Sequence, residues 1–146
     1  MSRDRSKSKK DRNDETRDKK DNLVTSKITF SFANFLGKDS KGIGQTWEEW
    51  GEKDPERLVK LLNKLKYLGG LNSTQAKEEK SLTVYGAFPK DSEFTCPDEL
   101  KEKSNWGVIR NLGLGWKLRV PGYYDGQGIF HIVFLDDEHQ FWPSEK

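Results

Sequence analysis

The first apolar pattern along the chain has the period of a β-strand. In the segment KITFSFANFL (27–36), apolar side chains alternate with polar ones at Ile28, Phe30 and Phe32. Such alternation places these side chains on one face of an extended segment. The pattern therefore predicts a strand with one buried face. The segment from Gly37 to Gly44 holds three glycines and predicts a loop.

A helical pattern follows this loop. Thr46 is a suitable N-cap for a turn that contains Trp47 and Trp50, which are spaced i, i+3. Asp54-Pro55 marks a second helix start, because Asp accepts the first backbone N–H groups and Pro suits the first helical position. The leucines after it have the spacing of an amphipathic helix, and we predict that they face the sheet. These leucines are Leu58, Leu61, Leu62, Leu65 and Leu68.

The second half of the chain is dominated by short extended segments. Asn72 predicts the cap of a short polar helix through about Lys80, and Pro97 predicts one helical turn. The segments predicted as extended are Ser81–Phe88, Trp106–Leu112, Trp116–Val120, Ile129–Leu135 and Gln140–Trp142. We predict that the last three form an antiparallel meander.

This order of elements predicts one α+β domain over residues 23–146. Its helices pack on one face of a small, mainly antiparallel, curved sheet that ends in a C-terminal three-stranded meander. About 120 residues are enough to bury a core without a metal or a disulfide. Cys96 is the only cysteine, so no internal disulfide is expected.

The N-terminal segment differs in composition from the rest of the chain. Residues 1–22 contain no Val, Ile, Leu or aromatic residue and carry 9 basic and 6 acidic groups, a net charge of +3. The whole chain carries 26 basic and 24 acidic groups, so residues 23–146 carry 17 and 18, a net charge of −1. We predict a disordered mixed-charge tail on a nearly neutral domain. The tail is either a solubilising segment or a transient binder of RNA phosphates.

The sequence also restricts the compartment. No apolar run approaches the ~20 residues that span a bilayer, and the N-terminus lacks the apolar segment of a secretory signal. A single cysteine is typical of a reducing compartment. We therefore expect a cytoplasmic protein without a membrane partner.

The order of strand, helical segment and three-stranded meander resembles the RelE/ParE/HigB toxin fold. The segments GWKLRVPGYY (115–124) and IFHIVFLDDEHQFW (129–142) are similar to the last strands of that family. There, a basic residue on one strand precedes an apolar central strand and a short final strand with an aromatic residue. The resemblance implies the toxin of a bacterial toxin–antitoxin pair, a ribosome-associated mRNA endoribonuclease. It implies an antitoxin protein and RNA or the ribosome as partners.

The resemblance also implies a site. RNA supplies its own 2′-hydroxyl nucleophile, so such an enzyme needs a base, an acid and cations, and we expect no metal or cofactor. Arg119 would hold the scissile phosphate, and His131 or His139 would transfer the proton. The residues expected to bind the substrate are Lys117, Arg110, Tyr123 and Tyr124. The alternatives are a solvated sheet face for the two strand cations and a half-buried structural role for His131.

Two further interpretations stay open. The run Asp136-Asp137-Glu138-His139 offers oxygen and nitrogen ligands for Mg²⁺ or Mn²⁺. Consecutive residues rarely converge on one ion, so a polar turn is the preferred interpretation. The nearly neutral domain also favours a different function. On the same scaffold, the chain would be a non-catalytic protein-interaction module, such as an accessory protein of a phage or mobile element.

Overall fold

The computed structural model describes residues 26–113, 115 and 117–144. The predicted tail, residues 1–22, lies outside this part of the chain. The helices are α1 (Trp47–Lys53), α2 (Glu56–Leu68) and α3 (Ser73–Glu78). The strands are β1 (Thr29–Ser31), β2 (Leu82–Gly86), β3 (Trp106–Ile109), β4 (Val120–Tyr124) and β5 (Ile129–Ile132), and a 3₁₀ turn covers Asp98–Leu100. Within the described ranges, no helix is both long and apolar enough to cross a bilayer.

The helices begin where the sequence predicts. The Thr46 hydroxyl accepts the Glu49 N–H at 3.1 Å, and the Glu49 carboxylate accepts the Thr46 N–H at 3.1 Å, which together form a capping box. Asn72 begins α3 by the same arrangement with Gln75. Polar side chains thus satisfy the free N–H groups at these helix starts.

The five strands form one sheet in the order β1-β5-β4-β3-β2. The strands from β2 to β5 are antiparallel neighbours, and β1 lies parallel to β5 at one edge. The predicted α+β class with a C-terminal meander is therefore confirmed. Its last three strands are β3, β4 and β5.

The prediction of a final strand at Gln140–Trp142 is wrong. The Asp136 carboxylate accepts the backbone N–H groups of Glu138, Gln140 and Phe141 at 2.9–3.2 Å. These bonds curl the chain into a turn, so the N–H groups of Gln140 and Phe141 do not join a ladder.

Two other strand boundaries differ from the prediction. The N–H groups of Val133 and Phe134 both donate to the Pro121 carbonyl at 3.0 and 3.1 Å, which is the pattern of a β-bulge. This bulge ends β5 before the predicted Leu135. The strand predicted at Trp116–Val120 begins only at Val120, and Trp116 lies outside the described residues.

Apolar cores lie on both faces of the sheet. The helical core lies under α1, α2 and α3, and it includes Leu61, Leu65, Leu68, Phe130 and Ile132. The aromatic core lies on the opposite face under irregular chain, and it includes Phe94, Trp106, Tyr123, Phe134 and Phe141. The predicted helix-covered face is confirmed, but the other face is also covered by protein. A predicted solvated sheet face for Arg119 is therefore wrong.

Candidate functional site

Arg119 does not lie on an open surface. Its residue is only 5% exposed, and its backbone pairs with Asp136 through hydrogen bonds of 2.8 and 3.0 Å. The guanidinium Nη1 donates to the Leu118 carbonyl at 3.1 Å. The side chain predicted to hold a phosphate is therefore buried and bonded to backbone.

Lys117 and His139 lie near Arg119, at the turn after β5. The Lys117 Nζ is 3.6 Å from a carboxylate oxygen of Glu138. His139 is in the left-handed backbone region with φ of 57° and follows Glu138 in the turn. The structure thus brings three predicted residues to one turn, with Arg119 buried beneath it.

His131 lies elsewhere on the sheet, opposite Tyr123. Tyr123 is four residues from Arg119 along the chain, roughly 13 Å in an extended strand. The His131 Nε2 is 2.8 Å from the Asp125 Oδ2, and the imidazole stacks on the Tyr123 ring with centroids 4.5 Å apart. Arg119 and His131 therefore lie on separate parts of the sheet.

Stacking on Tyr123, and a hydrogen bond from Asn34 to Tyr123, connect this histidine to the segment after β1. Asn34 Nδ2 donates to the Tyr123 hydroxyl at 2.6 Å, and Lys103 Nζ lies 5.4 Å from the Tyr123 ring centroid. Partial burial acts to raise the pKa of Asp125, but hydrogen bonds from His131 and two backbone N–H groups outweigh it and lower that pKa. The cluster holds the segment after β1 against β4.

Tyr124 and Arg110 lie apart from the residues at the turn after β5 and from those around His131. Tyr124 packs against the helical core, and Lys77 Nζ lies 5.9 Å from its ring centroid. It therefore faces away from Tyr123, as successive side chains in a strand do. The Arg110 N–H donates to the Ser81 carbonyl at 3.0 Å, next to the end of β3 that pairs with β2.

The acidic turn after β5 is structural. Burial raises the pKa of Asp136, whose carboxylate accepts three backbone N–H groups. The Asp137 carboxylate is 2.5 Å from Lys53 Nζ and 3.0 Å from Arg57 Nη1, which ties α1 and α2 to this turn. In the ranges that the structure covers, no three His, Cys, Asp or Glu side chains are grouped to hold a metal. The hydrogen bonds to Asp136 show that this run forms a polar turn.

A second polar cluster was not predicted from the sequence. Lys64 Nζ donates to the Ser81 hydroxyl at 2.7 Å, and that hydroxyl donates to Glu79 at 2.6 Å. Burial lowers the pKa of Lys64, and hydrogen bonds from Ser81 and Tyr67 lower the pKa of Glu79. Ser81 is only 2% exposed, so its hydroxyl links α2 to the sheet and is not accessible as a nucleophile.

The most distinctive surface feature is an apolar groove between α2 and the segment after β1. Its volume is about 390 Å³, and its lining is almost entirely apolar. The lining residues are Phe32, Trp47, Leu58, Leu61, Leu62 and Leu65. Leu62 is 63% exposed and Phe32 is 45% exposed, so water reaches apolar side chains of this lining. Val59, which is 57% exposed, lies outside the lining, three residues before Leu62 on the helix.

Ring contacts hold the walls of this groove. Trp47 stacks on Phe35 with ring centroids 4.3 Å apart and meets Phe32 edge-on at 5.8 Å. Asn34 lies between these two phenylalanines in the chain and is hydrogen-bonded to Tyr123. These contacts fix the position of the groove wall that Phe32 and Trp47 form.

The groove corrects one sequence prediction. The leucine stripe of α2 was expected to face the sheet as a whole, and that is wrong for Leu62. Leu61 and Leu65 are buried. Leu62, the residue after Leu61, points away from the sheet, and it shares an exposed side of the helix with Val59, three residues before it. The sequence does contain a signal for this exposure. With Val59 and Leu62, the apolar stripe of α2 is wider than packing against the sheet requires.

Comparison with known proteins adds no relative to this picture. No protein-family model matches the chain, and neither a curated protein nor a solved structure matches it significantly.

Proposed function

We propose that the chain is a non-catalytic protein-interaction module that binds a partner protein in the apolar groove. The supporting observation is the exposure of Leu62 and Val59 on a helix whose neighbouring leucines are buried. The largest apolar patch on a typical soluble monomer covers about 300–600 Å² and often serves as an interaction site. An apolar partner segment would remove this surface from water, which favours binding.

The arrangement of the predicted catalytic residues supports this choice. An RNA-cleaving site needs a cation that reaches the phosphate, and Arg119 is buried under the turn after β5. His131 is about four strand positions away and already bonded to Asp125. The endoribonuclease stays a prediction. Growth arrest on induced expression, with cleavage of translated mRNA by the purified protein, would restore it.

The proposed function is tested by selecting binders without assuming a partner. A display library of random peptides, with no helix imposed on them, is selected on the purified full chain. The enriched peptides are then titrated against the wild type and two variants, Leu62→Asp and Leu36→Asp. Leu36 is a matched control, because it is 45% exposed and does not line the groove.

We expect Leu62→Asp to weaken these peptides at least about tenfold, since it places a charge in the apolar contact. Leu36→Asp should leave the affinity within about twofold. Circular dichroism confirms that both variants are folded. If the enriched peptides bind Leu62→Asp as well as the wild type, the groove is not the binding surface and the proposal is wrong.

A further inference from the structure

We infer that the partner segment in the groove is an amphipathic α-helix of another protein, antiparallel to α2, with acidic residues in its first turn near Lys66. This inference rests on the proposed function. It specifies the shape, direction and charge of the segment that the groove accepts. Three observations carry it: the covered edge of β1, the length of the groove along α2 and the distribution of charge on α2.

The edge of β1 argues against an extended peptide. A peptide that adds a strand needs a row of outward-facing N–H and C=O groups. Before β1, the Ile28 N–H already donates to the Leu71 carbonyl, and Lys27 bridges Asn72. After β1, the Phe32 carbonyl accepts the Phe35 N–H. Thr29 donates to the Gly128 carbonyl, on the side of β5. Because the backbone groups of successive strand residues point to opposite sides, only Phe30 presents outward-facing groups between these occupied ends. One residue is too short a template for a strand.

The groove has a length that suits a helix. Its lining on α2 runs from Leu58 to Leu65, which is about 10 Å at the rise of an α-helix. A helix that lies along it presents about two turns, with apolar side chains at i, i+3 or i+4, and i+7. Phe32 and Trp47 form the opposite wall of the groove. The apolar side chains of the partner helix would therefore enter between two apolar surfaces.

The charges on α2 give the partner helix a direction. The last two turns of α2 carry Lys64 and Lys66 and no acidic residue, whereas its first turn carries both Glu56 and Arg57. Lys66 is exposed and four residues after Leu62, so it lies on the groove side of the helix. Helices favour acids in their first turn and bases in their last. A partner antiparallel to α2 therefore places its first-turn acids near Lys66.

A second copy of the chain is the weaker occupant. Phe32, Val59 and Leu62 are each about half exposed. Together they offer roughly 300 Å² of apolar surface, well below the about 800 Å² that each partner contributes to a standard interface. A single helix uses this surface better, because its side chains also enter the groove.

The direction is tested with two synthetic peptides of 14 residues and identical composition. Both carry leucines at positions 4, 7 and 11. The forward peptide has glutamates in its first turn and lysines in its last, and the reversed peptide exchanges them. Fluorescence anisotropy measures their affinity for the full chain, for Lys66→Glu and for Lys60→Glu. Lys60 is the matched control, because it shares a helix face with Lys64 and Tyr67, away from the groove.

We expect the forward peptide to bind the wild type more tightly than the reversed peptide. Lys66→Glu should weaken the forward peptide about two- to fivefold and strengthen the reversed one, as expected for one exposed ion pair. Lys60→Glu should change neither affinity by more than about 1.5-fold, because salt screens a charge that lies outside the contact.

The outcomes separate the inference from the proposed function. If both peptides bind equally and both require Leu62, the groove binds a partner but the inferred direction is wrong. If neither peptide binds in a Leu62-dependent way, while the selected library peptides do, the helical partner is wrong. If sedimentation shows a dimer that Leu62→Asp dissociates, a second copy occupies the groove and the inference is overturned.

Discussion

On one face of the sheet, Leu61 and Leu65 of α2 pack against Phe130 and Ile132 of β5. On the other face, the rings of Phe94, Phe134 and Phe141 are in mutual contact, with centroids 4.7–6.2 Å apart. The side chains of the first core come largely from regular helices and strands. Those of the second core come largely from irregular chain. Both faces of the sheet carry buried side chains, but different interactions hold these side chains in place on each face.

Carboxylates hold the irregular chain over the aromatic core. The Asp39 carboxylate accepts the N–H groups of Lys41, Ile43 and Thr95 at 2.7–2.9 Å. Asp136 does the same for three N–H groups of the last turn. Helical hydrogen bonds are local and repeat along the backbone, whereas these bonds depend on single side chains. The aromatic face is therefore the one that single polar substitutions should disrupt.

The largest expected effect is the loss of a ring from the aromatic core. Phe141 is fully buried and contacts five other rings, so Phe141→Ala should lower the free energy of unfolding by about 3–5 kcal/mol. Phe32→Ala removes the same atoms from a 45% exposed site and should cost less than about 1 kcal/mol. Urea denaturation measures both. Equal losses would mean that Phe141 does not organise this face.

The next largest effect is expected at Asp136, and Glu138 in the same turn serves as its control. Asp136→Ala leaves three backbone N–H groups without their acceptor and should cost about 2–4 kcal/mol. Glu138→Ala, at an exposed position of the same turn, should change the unfolding free energy by less than about 0.5 kcal/mol. A loss as small for Asp136→Ala as for Glu138→Ala would contradict a carboxylate-held turn.

The smallest expected effect is the pH dependence at Asp125. Its pKa is lower in the folded state than the roughly 3.9 of an unfolded Asp. The stability it contributes is therefore present above about pH 4 and is lost as the pH falls through the lower folded pKa. Asp125→Asn should be less stable by about 1 kcal/mol at pH 6, and the difference should shrink toward pH 2. Thermal unfolding at several pH values measures this, and a constant difference would show that the carboxylate charge is not responsible.

The contrast between the faces explains what the sequence could predict. The cap at Thr46, the stripe of α2 and the alternation in β2 are local patterns, and each predicts an element that the structure contains. The bulge at Pro121 depends on residues that meet across the sheet, and the length of the turn at Asp136 depends on which backbone N–H groups its carboxylate accepts. A turn at Asp136–His139 was predicted, but the bulge and the continuation of the turn through Phe141 were not, because alternation alone favours strands through Leu135 and at Gln140–Trp142.

The candidate site was harder to predict than the fold. Arg119 alternates with Leu118 and Val120, which predicts an outward side chain, but the loop over the aromatic core covers that face. The exposure of Leu62 depends on where α2 meets the sheet, and the spacing of its leucines does not contain that information. Tyr123 of β4 lies opposite His131, beyond the end of the strand predicted at Trp116–Val120.

The most direct test compares Leu61→Ala with Leu62→Ala in one experiment that measures both stability and peptide binding. Leu61 is 1% exposed and Leu62 is 63% exposed, although they are adjacent in the same helix and both line the groove. Leu61→Ala should lower the unfolding free energy by about 2–5 kcal/mol. Leu62→Ala should change it by less than about 0.5 kcal/mol, yet weaken a groove-binding helical peptide about tenfold. If Leu62→Ala destabilises the fold as much as Leu61→Ala and leaves peptide binding unchanged, Leu62 belongs to the core and the groove is not a binding site.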